Sequence, residues 1–463
     1  MKKKFYIIIF SFLLFIFFGG YLISQNHNNK FSKYIKDNTP SEFKQFLKNT
    51  IFSLPLKLRE ESEVAKLYEK TITENIKLQK ENKILKNKLN LGKYERKKIN
   101  EKYISETIVI PYDLKKKFEF NKSRGYLETY DDKLIVVNVS GEIIYFEKSI
   151  FDSQKTEFKN IKSNLNTENL FDGSLVWTGI KDVKRVKNKL YISLTHEIEP
   201  KCYNTSLFVA EINFNYLNFE EVFKSKECAK IEKRVEYFAY FNGHQTGGRI
   251  ENLNNKIILT IGDYNSWEFP QKDDSDFGKI LEIDPQNKIY RYISKGHRNQ
   301  QGLEIFSTND KTLISTEHGP KGGDEINIIN LNENFKVNNY GWPISSYGNH
   351  YDVVPINSYT KKYAPLNKNH QSYNFIEPSF YFEKSIGISE IEKNFFSKDN
   401  QYFVTSLKMK TIYVLEINHN DFQIVDKIYI GERIRDIIYD FNKNVYYIYL
   451  EDTPKIMRLS NLN

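Results

Sequence analysis

The sequence predicts an all-β fold, a six-bladed β-propeller, preceded by an N-terminal transmembrane helix and a helical stalk. From about Ile108 onward, short β-branched and aromatic runs are separated by Asn, Asp and Gly, as in strands joined by turns. Within this region, one strand pattern recurs six times. The preceding part of the chain differs, because it contains one uncharged apolar run and then a segment dominated by Lys, Glu, Leu and Asn.

The N-terminus predicts a membrane anchor over residues 1–24. Three lysines follow Met1, and the run from Phe5 to Ile23 carries no charge. A helix needs about 20 apolar residues to cross the hydrocarbon core. A cleaved signal peptide is the alternative, but no small-x-small cleavage site is clear after the apolar run. In both cases the lysines stay in the cytoplasm. We therefore expect a single pass through a bacterial inner membrane, with the propeller in the periplasm.

A polar linker over 25–57 and a helical stalk over 58–104 are predicted to follow. Apolar and polar residues recur at heptad spacing: Leu78 and Leu85 at d, and Asn75, Asn82 and Leu89 at a. This spacing predicts a short coiled coil, through which the chain could form a homo-oligomer. A single solvated helix is the alternative.

The propeller is predicted over 108–463 from its repeated strand. The six copies are 132–137, 188–193, 255–260, 310–315, 400–405 and 444–449. Such spacing is typical of four-stranded blades repeated around an axis. The widest gap contains Tyr340 to Tyr373, which we expect to form a long loop over one face, where binding residues often lie.

Charge and cysteine content exclude some functions. The formal charge of +9 is spread along the chain and forms no basic stripe with exposed aromatic residues, so we expect no nucleic-acid partner. Cys202 and Cys228 show neither metal-ligand spacing nor a CxxC motif. In an exported protein they are expected to form a disulfide, with two buried thiols as the alternative.

Polar motifs cluster at strand ends around the third and fourth copies. His244 precedes paired glycines and a strand, and Asp263 follows that strand, so the two could meet as a base and its orienting carboxylate. The glycine-rich run from Glu317 to Glu325 could direct carbonyl oxygens at a cation, and Asp324 could add charge, as in a calcium site.

Cations near the C-terminus indicate an anion site. Lys408 follows one strand, and Arg433 and Arg435 alternate so that both point to the same face. Converging cations without phosphate-loop glycines favour a small polyanion, and surface salt bridges are the alternative.

The run from Gly296 to Pro343 contains the blocks GHRNQQG, EHGPKGGDEINII and NNYGWP. It resembles the glucose/sorbosone dehydrogenase family, which includes soluble quinoprotein glucose dehydrogenases and aldose sugar dehydrogenases. The similarity extends from about residue 125 to the C-terminus. The resemblance implies a propeller whose mouth binds pyrroloquinoline quinone (PQQ), a tricarboxylic ortho-quinone, beside a Ca²⁺ ion.

The resemblance also implies a role for each motif residue. His244 would take the proton of the sugar C1 hydroxyl as hydride moves to the quinone, and Asp263 would orient His244. Arg298 would stabilise charge on the quinone oxygen. The other matched residues would bind the cofactor or the ion: Asn299 and Gln301 would contact PQQ, Lys408, Arg433 and Arg435 would pair with its carboxylates, and the carbonyls of Gly319 and Pro320 would coordinate Ca²⁺.

Two functions follow as expectations. The first is a membrane-anchored quinoprotein that oxidises an aldose and passes electrons to an acceptor in or near the membrane. The second is a non-catalytic propeller that binds a glycan or protein through the same face. The segment between His244 and Arg249 is one residue longer than the family's usual spacing, which favours the second, whereas the retained cations favour the first.

Overall fold

The computed structural model describes residues 92–111, 124–153, 157–165, 178–231, 233–234, 239–241, 243–306, 312–331, 337–418 and 421–462. All of them belong to one compact unit, Ile84–Asn463. The predicted anchor (1–24), the linker (25–57) and most of the stalk lie outside the described residues. Over the ranges given above, no helix is long and apolar enough to cross a membrane.

Six largely antiparallel sheets form a six-bladed β-propeller, as predicted. The chain begins with β1 (Tyr94–Lys98) and β2 (Tyr103–Val109), which complete the last blade. Blade 1 contains β3 (Gly125–Tyr130), β4 (Lys133–Asn138), β5 (Ile143–Glu147) and β6 (Lys159–Ser163), with the short helix α1 (Ile150–Ser153) between β5 and β6. Blade 2 contains β7 (Gly179–Val186), β8 (Lys189–Glu199), β9 (Cys202–Glu211), β11 (Glu220–Lys224) and β12 (Ala229–Lys230), while β10 (Tyr216–Leu217) extends blade 1.

A small hairpin, β13 (Lys233–Arg234) and β14 (Ala239–Tyr240), leads to blade 3. Blade 3 contains β15 (Gly247–Leu253), β16 (Lys256–Ile261), β17 (Lys279–Asp284), β18 (Ile289–Lys295) and the parallel strand β22 (Asn338–Asn339). Blade 4 contains β19 (Gln300–Ile305), β20 (Thr312–Glu317), β21 (Asp324–Asn330) and β23 (Phe380–Phe382). Blade 5 contains β24 (Ile388–Lys393), β25 (Gln401–Ser406), β26 (Thr411–Asn418) and β27 (Asp421–Tyr429). Blade 6 contains β28 (Ile434–Asp440), β29 (Val445–Leu450) and β30 (Lys455–Asn461), followed by β2 and β1.

The predicted helical stalk is wrong over residues 94–104. There the chain forms β1 and the start of β2, and β2 pairs with β30 from Tyr103 opposite Asn461 to Val109 opposite Lys455. The two ends of the propeller are therefore joined in one sheet, which leaves the ring without an open seam. β1 is the edge strand of this sheet, and its charged side chains lie largely in solvent.

The six recurring strands predicted from the sequence are the second strands of the six blades: β4, β8, β16, β20, β25 and β29. Both faces of each are buried, which explains their continuous apolar runs. In β4, Leu134 and Val136 pack towards blade 6, whereas Ile135 and Val137 pack towards blade 2. Each such side chain, once fully buried, contributes about 1.5–3 kcal/mol relative to an exposed one.

Two features between blades bear on the sequence predictions. Cys202, the first residue of β9, forms the predicted disulfide with Cys228, across a Cα–Cα distance of 5.3 Å. The region Tyr340–Tyr373 is a long excursion between β22 and β23 that contains helix α2 (Ser358–Tyr363) and a 3₁₀ helix (His370–Tyr373). Trp342 and Ala364 of this excursion pack with Trp267 of blade 3.

The inner strands β3, β7, β15, β19, β24 and β28 pack against one another in a closed circle. Side chains from strands far apart in the chain therefore meet around the central axis, and the candidate site lies at one end of it.

Candidate active site

His244 lies on the loop that enters β15. Its ring stacks on Phe241, with 6.0 Å between ring centroids and 21° between ring planes. Burial lowers the pKa of His244 to about 4, and the cations Arg298 and Lys181 act in the same direction. The imidazole is therefore neutral near pH 7 and is able to accept a proton.

Backbone contacts hold this loop in place. Gln245 has φ of 59°, in the left-handed region, and its carbonyl accepts a hydrogen bond from the Tyr264 N–H at 2.9 Å. The Gly247 N–H donates to Asn299 Oδ1 at 3.0 Å.

Asp263 follows β16 in blade 3, and its buried side chain bonds to the long excursion between β22 and β23. Its Oδ2 accepts a hydrogen bond from Trp342 Nε1 at 2.8 Å, and its Oδ1 accepts one from the Asn265 N–H at 2.7 Å. Burial raises the pKa of Asp263 to about 7, although Arg298 opposes the rise. The Asp263 N–H donates to the Arg298 carbonyl at 2.8 Å, so the two residues are neighbours. The role of Asp263 in orienting His244 stays a prediction.

Arg298 precedes β19 and faces the glycine-rich run. Its Nη1 donates to the carbonyl oxygens of His318 at 3.0 Å and Gly319 at 2.8 Å. The guanidinium lies 5.3 Å from the ring centroid of Trp342. A cation held by carbonyls and one indole face, close to a neutral histidine, is suited to stabilising negative charge on a ligand.

The predicted anion-binding residues meet around one buried carboxylate. Glu451 accepts from Arg433 Nε and from Arg435 Nη2, both at 3.1 Å. Arg435 Nη1 also donates to Gln301 Oε1 at 3.1 Å, and Gln301 Nε2 donates to Asn299 Oδ1 at 3.2 Å. Blades 4 and 6 therefore join in one polar chain, although their residues are far apart in the sequence.

Lys408 is exposed at the edge of this group. It follows β25, and the carbonyl of its neighbour Leu407 accepts a hydrogen bond from Arg433 Nη1 at 3.3 Å. The structure thus brings the three predicted cations to the same end of blades 5 and 6.

The predicted calcium residues form a compact loop between β20 and β21. Asp324 is buried, and its two carboxylate oxygens accept hydrogen bonds from four backbone N–H groups: Gly319 at 3.1 Å, Ile386 at 2.9 Å, Gly387 at 2.9 Å and Ile388 at 3.2 Å. The Pro320 carbonyl accepts from the Tyr351 hydroxyl at 2.9 Å. Asp324 therefore fixes the loop that carries the two candidate carbonyls. Within the part of the chain that the structure covers, no group of three or more His, Cys, Asp or Glu side chains could hold a metal ion.

Three charged residues near the site were not predicted from the sequence: Arg124, Lys181 and Glu451. Arg124 precedes β3, Lys181 lies in β7 and Glu451 follows β29, and all three are buried. Their proximity to Arg435 depends on the ring of blades and is not visible in the linear sequence.

Comparison with known proteins assigns the chain to a family. Residues 131–458 match the family model described as Glucose / Sorbosone dehydrogenase. An aldose sugar dehydrogenase of Escherichia coli is 26% identical over 243 residues, which cover 48% of this chain and 61% of that protein. Quinoprotein glucose dehydrogenase B of Acinetobacter calcoaceticus is 30% identical over 152 residues, which cover 26% of this chain and 30% of that protein. The chain therefore spans less than two thirds of each of these relatives.

Solved structures show the same fold. The apo form of the soluble aldose sugar dehydrogenase from Escherichia coli superposes with a TM-score of 0.60 at 19% identity, covering 77% of this chain and 99% of that one. The PQQ-bound form of an aldose sugar dehydrogenase from Streptomyces coelicolor gives a TM-score of 0.50 at 14% identity, covering 77% and 98% of the two chains.

Proposed function

Because this chain belongs to the glucose/sorbosone dehydrogenase family, we propose that it is a PQQ-dependent aldose dehydrogenase that oxidises the C1 hydroxyl group of a sugar. The observation that carries the proposal is a half-buried, neutral histidine near Arg298, together with the cations that converge at one end of blades 5 and 6. The relatives named above as aldose sugar dehydrogenase and quinoprotein glucose dehydrogenase support sugar oxidation.

The donor set fits PQQ. Arg433, Arg435 and Lys408 would bind its carboxylates, and Asn299 and Gln301 would donate to its polar edge. Arg435 Nε is buried and has no hydrogen-bond partner among the residues described, so it has a donor left for a ligand. When bound, PQQ supplies an ortho-quinone that accepts the hydride from C1.

The protein's own residues would manage the proton and the charge. His244 would accept the proton of the C1 hydroxyl group on a ring nitrogen, and its low pKa keeps this base form populated at neutral pH. Arg298 would stabilise negative charge on the quinone oxygen. Asp263, which lies beside Arg298, would act on the orientation of His244.

Calcium belongs to the proposal as well. The carbonyl oxygens of Gly319 and Pro320 would coordinate Ca²⁺. The Gly319 carbonyl has a second lone pair beyond the hydrogen bond from Arg298, whereas the Pro320 carbonyl accepts from the hydroxyls of Tyr351 at 2.9 Å and Ser385 at 3.3 Å, one of which would have to yield to the ion. Asp324 would support the ion by holding the loop and by its charge.

We also propose that the enzyme acts outside the cytoplasm on a membrane anchor. The uncharged run from Phe5 to Ile23 and the Cys202–Cys228 disulfide support export. A coiled coil within 58–91 would make the protein a homo-oligomer. Light scattering before and after deletion of 58–91 tests this, because an unchanged mass rules out the coil as the assembly element.

The central experiment is a titration of PQQ into the full chain in mild detergent with Ca²⁺ present, followed by dye reduction with a panel of aldoses. Wild type is compared with His244→Ala, and His196→Ala serves as the control because His196 lies outside the site, against Ser206 and Phe208. Tight binding and turnover that only His244→Ala abolishes would support the enzyme. Tight binding without turnover would favour the glycan- or protein-binding propeller, and absence of binding would refute the cofactor assignment.

A further inference from the structure

The excursion between β22 and β23 has a tip, residues 351–363, that exposes large apolar side chains. Val353 is 76% exposed, Ile356 60% and Tyr351 48%. All three lie within six residues, just before helix α2. Single exposed apolar residues are common in soluble proteins, but several of them together mark a surface that binds another molecule or a membrane.

The tip is held on a fixed support. The Val354 N–H donates to the Tyr351 carbonyl at 2.9 Å, which closes a turn, and the Tyr351 hydroxyl donates to the Pro320 carbonyl at 2.9 Å. Val354 packs against the apolar cluster that contains Trp267 of blade 3. The exposed side chains on either side of Val354 are therefore presented by a packed element of the fold.

The charge of the tip favours an anionic surface. Lys361 and Lys362 are exposed in the last turn of α2. The one acidic residue of the tip, Asp352, pairs with Lys321 at 2.8 Å. Together these residues carry a net positive charge. Exposed aliphatic side chains beside lysines match the apolar boundary and the anionic head groups of a lipid bilayer.

The chain enters the propeller at the end that carries Arg433. The Gly92 N–H donates to the Val109 carbonyl at 2.9 Å, and Val109 lies opposite Lys455 in the sheet of blade 6. Lys455 Nζ pairs with Glu432 Oε1 at 2.9 Å, and Glu432 directly precedes Arg433. A tether that leads from the N-terminal apolar run would therefore join the propeller at this end.

The excursion lies at the same end. Arg435, near the start of β28, donates from Nη1 to Gln301 Oε1 at 3.1 Å, so β28 and β19 begin at one end of the ring. Arg298 precedes β19, and its guanidinium lies 5.3 Å from the ring centroid of Trp342 in the excursion. The entry of the chain and the exposed tip are thus on one side of the propeller.

We propose that the tip docks on the surface of the bilayer, with Val353 and Ile356 in its apolar boundary and Lys361 and Lys362 on anionic head groups. The inference rests on the proposed function for the membrane anchor. It deepens that function, because docking turns the end of the propeller that carries the candidate site towards the membrane. The anchor makes docking an intramolecular event, so a small patch is sufficient.

The test uses the full chain in nanodiscs that contain phosphatidylglycerol and brominated acyl chains, which quench a fluorescent dye on contact. Both cysteines of the chain are in the disulfide, so Ser358→Cys gives a single thiol for a dye at the exposed start of α2. Asn442→Cys is the matched control, because this exposed residue lies in the turn between β28 and β29, at the other end of blade 6. We expect quenching at 358 and none at 442. No quenching at 358, or equal quenching at both positions, would overturn the proposal.

Substitutions at the tip test which side chains dock. Val353→Asp with Ile356→Asp should lower the ratio of docked to undocked protein about 100-fold, because two aliphatic side chains no longer leave water. Lys361→Gln with Lys362→Gln should lower it about 30-fold in these discs and leave it unchanged in zwitterionic discs. Ile289→Asp is the control, because Ile289 is 63% exposed at the far end of blade 3. Quenching at 358 that survives the two aspartates would refute the docking role of the tip. The apo melting temperature should stay unchanged in every variant, since all the replaced side chains are exposed.

Two further results separate this proposal from its alternatives. If the dye at 358 is not quenched and the two aspartates lower the protein mass per disc in light scattering, the tip binds a second copy of the chain and membrane docking is wrong. If the wild-type chain does not stay with the discs, the anchor of the proposed function fails. The full chain is then mixed with phosphatidylglycerol vesicles that carry brominated lipid. Quenching at 358 that the two aspartates abolish would support docking without an anchor, and its absence would refute docking.

Discussion

Replacing Arg249 by Met should destabilise the propeller more than any substitution of a surface arginine, because this side chain joins all six blades. From its place in blade 3 it contacts the five others: Tyr126 of blade 1 through its ring at 5.2 Å, Asp182 of blade 2, the Gln301 carbonyl of blade 4 at 2.6 Å, Glu390 of blade 5, and Asp436 of blade 6. Methionine has a similar apolar length, so the change mainly removes charge and hydrogen bonds.

The expected loss is about 3–5 kcal/mol in the free energy of unfolding at pH 8, the range for breaking a buried ion pair by removing one partner. Asp182, Glu390 and Asp436 would be left buried without their shared cation. Burial already raises the pKa of Asp182 to about 7 with Arg249 present, and removal of the arginine would raise it further. A carboxyl group with a raised pKa in the folded state favours folding at low pH, and this contribution is lost as the pH rises. The loss of stability caused by Arg249→Met should therefore be smaller at pH 5 than at pH 8.

The measurement is urea unfolding at pH 5 and pH 8, followed by tryptophan fluorescence. Arg458→Met is the control, because Arg458 also contacts two carboxylates, Glu106 and Asp152, each at 2.7 Å, but lies in the outer part of blade 6. It should lose less than Arg249→Met, about 1–3 kcal/mol, because it leaves one buried carboxylate, Glu106, without its cation rather than three. Equal losses for the two variants, or a loss for Arg249→Met that does not change with pH, would refute the role of the central arginine.

Three other predictions test the disulfide, the pKa of His244 and the hydrogen bonds of Asp324. The Cys202–Cys228 disulfide joins residues 26 positions apart, and its reduction should lower the free energy of unfolding by about 3 kcal/mol. Urea unfolding with and without reductant measures this loss, and an unchanged unfolding midpoint would contradict it. In histidine-labelled NMR titrations of the apo protein, the His244 signal should titrate near pH 4, and Arg298→Gln should raise that pKa because it removes a nearby cation; a value near 6.5 in wild type would disprove the burial argument. Asp324→Ala should lower stability by about 3 kcal/mol, because four backbone N–H groups lose their acceptor, and a loss below 1 kcal/mol in chemical unfolding would argue against this role.

The blades were predictable because their second strands are buried on both faces. A strand that packs on two neighbours has a continuous apolar run, and such runs stand out against polar turns. β1 was not predictable for the opposite reason. Its residues Tyr94–Lys98 form an exposed edge, and a short charged segment after a Lys- and Glu-rich region reads as helix until its partner strand is known.

The site was predictable only where a motif is continuous in the sequence. His244, Arg298 and Gly319 lie in glycine-rich blocks that the sequence analysis identified. Lys181 and Glu451 lie in ordinary strand sequence, and they join the site because inner strands from different blades meet on the axis. The separation between Lys181 and Arg435 in the chain exceeds half its length, so no local pattern relates them.

The central axis thus has two electrostatic regions with different consequences. Around Arg249, cation and carboxylates come from the protein itself, so this region stabilises the fold with or without a ligand. Around Arg435, the single carboxylate of Glu451 is shared by the two guanidinium groups of Arg433 and Arg435. Binding of a polyanion would therefore stabilise the folded state through linkage, by an amount set by its affinity and concentration.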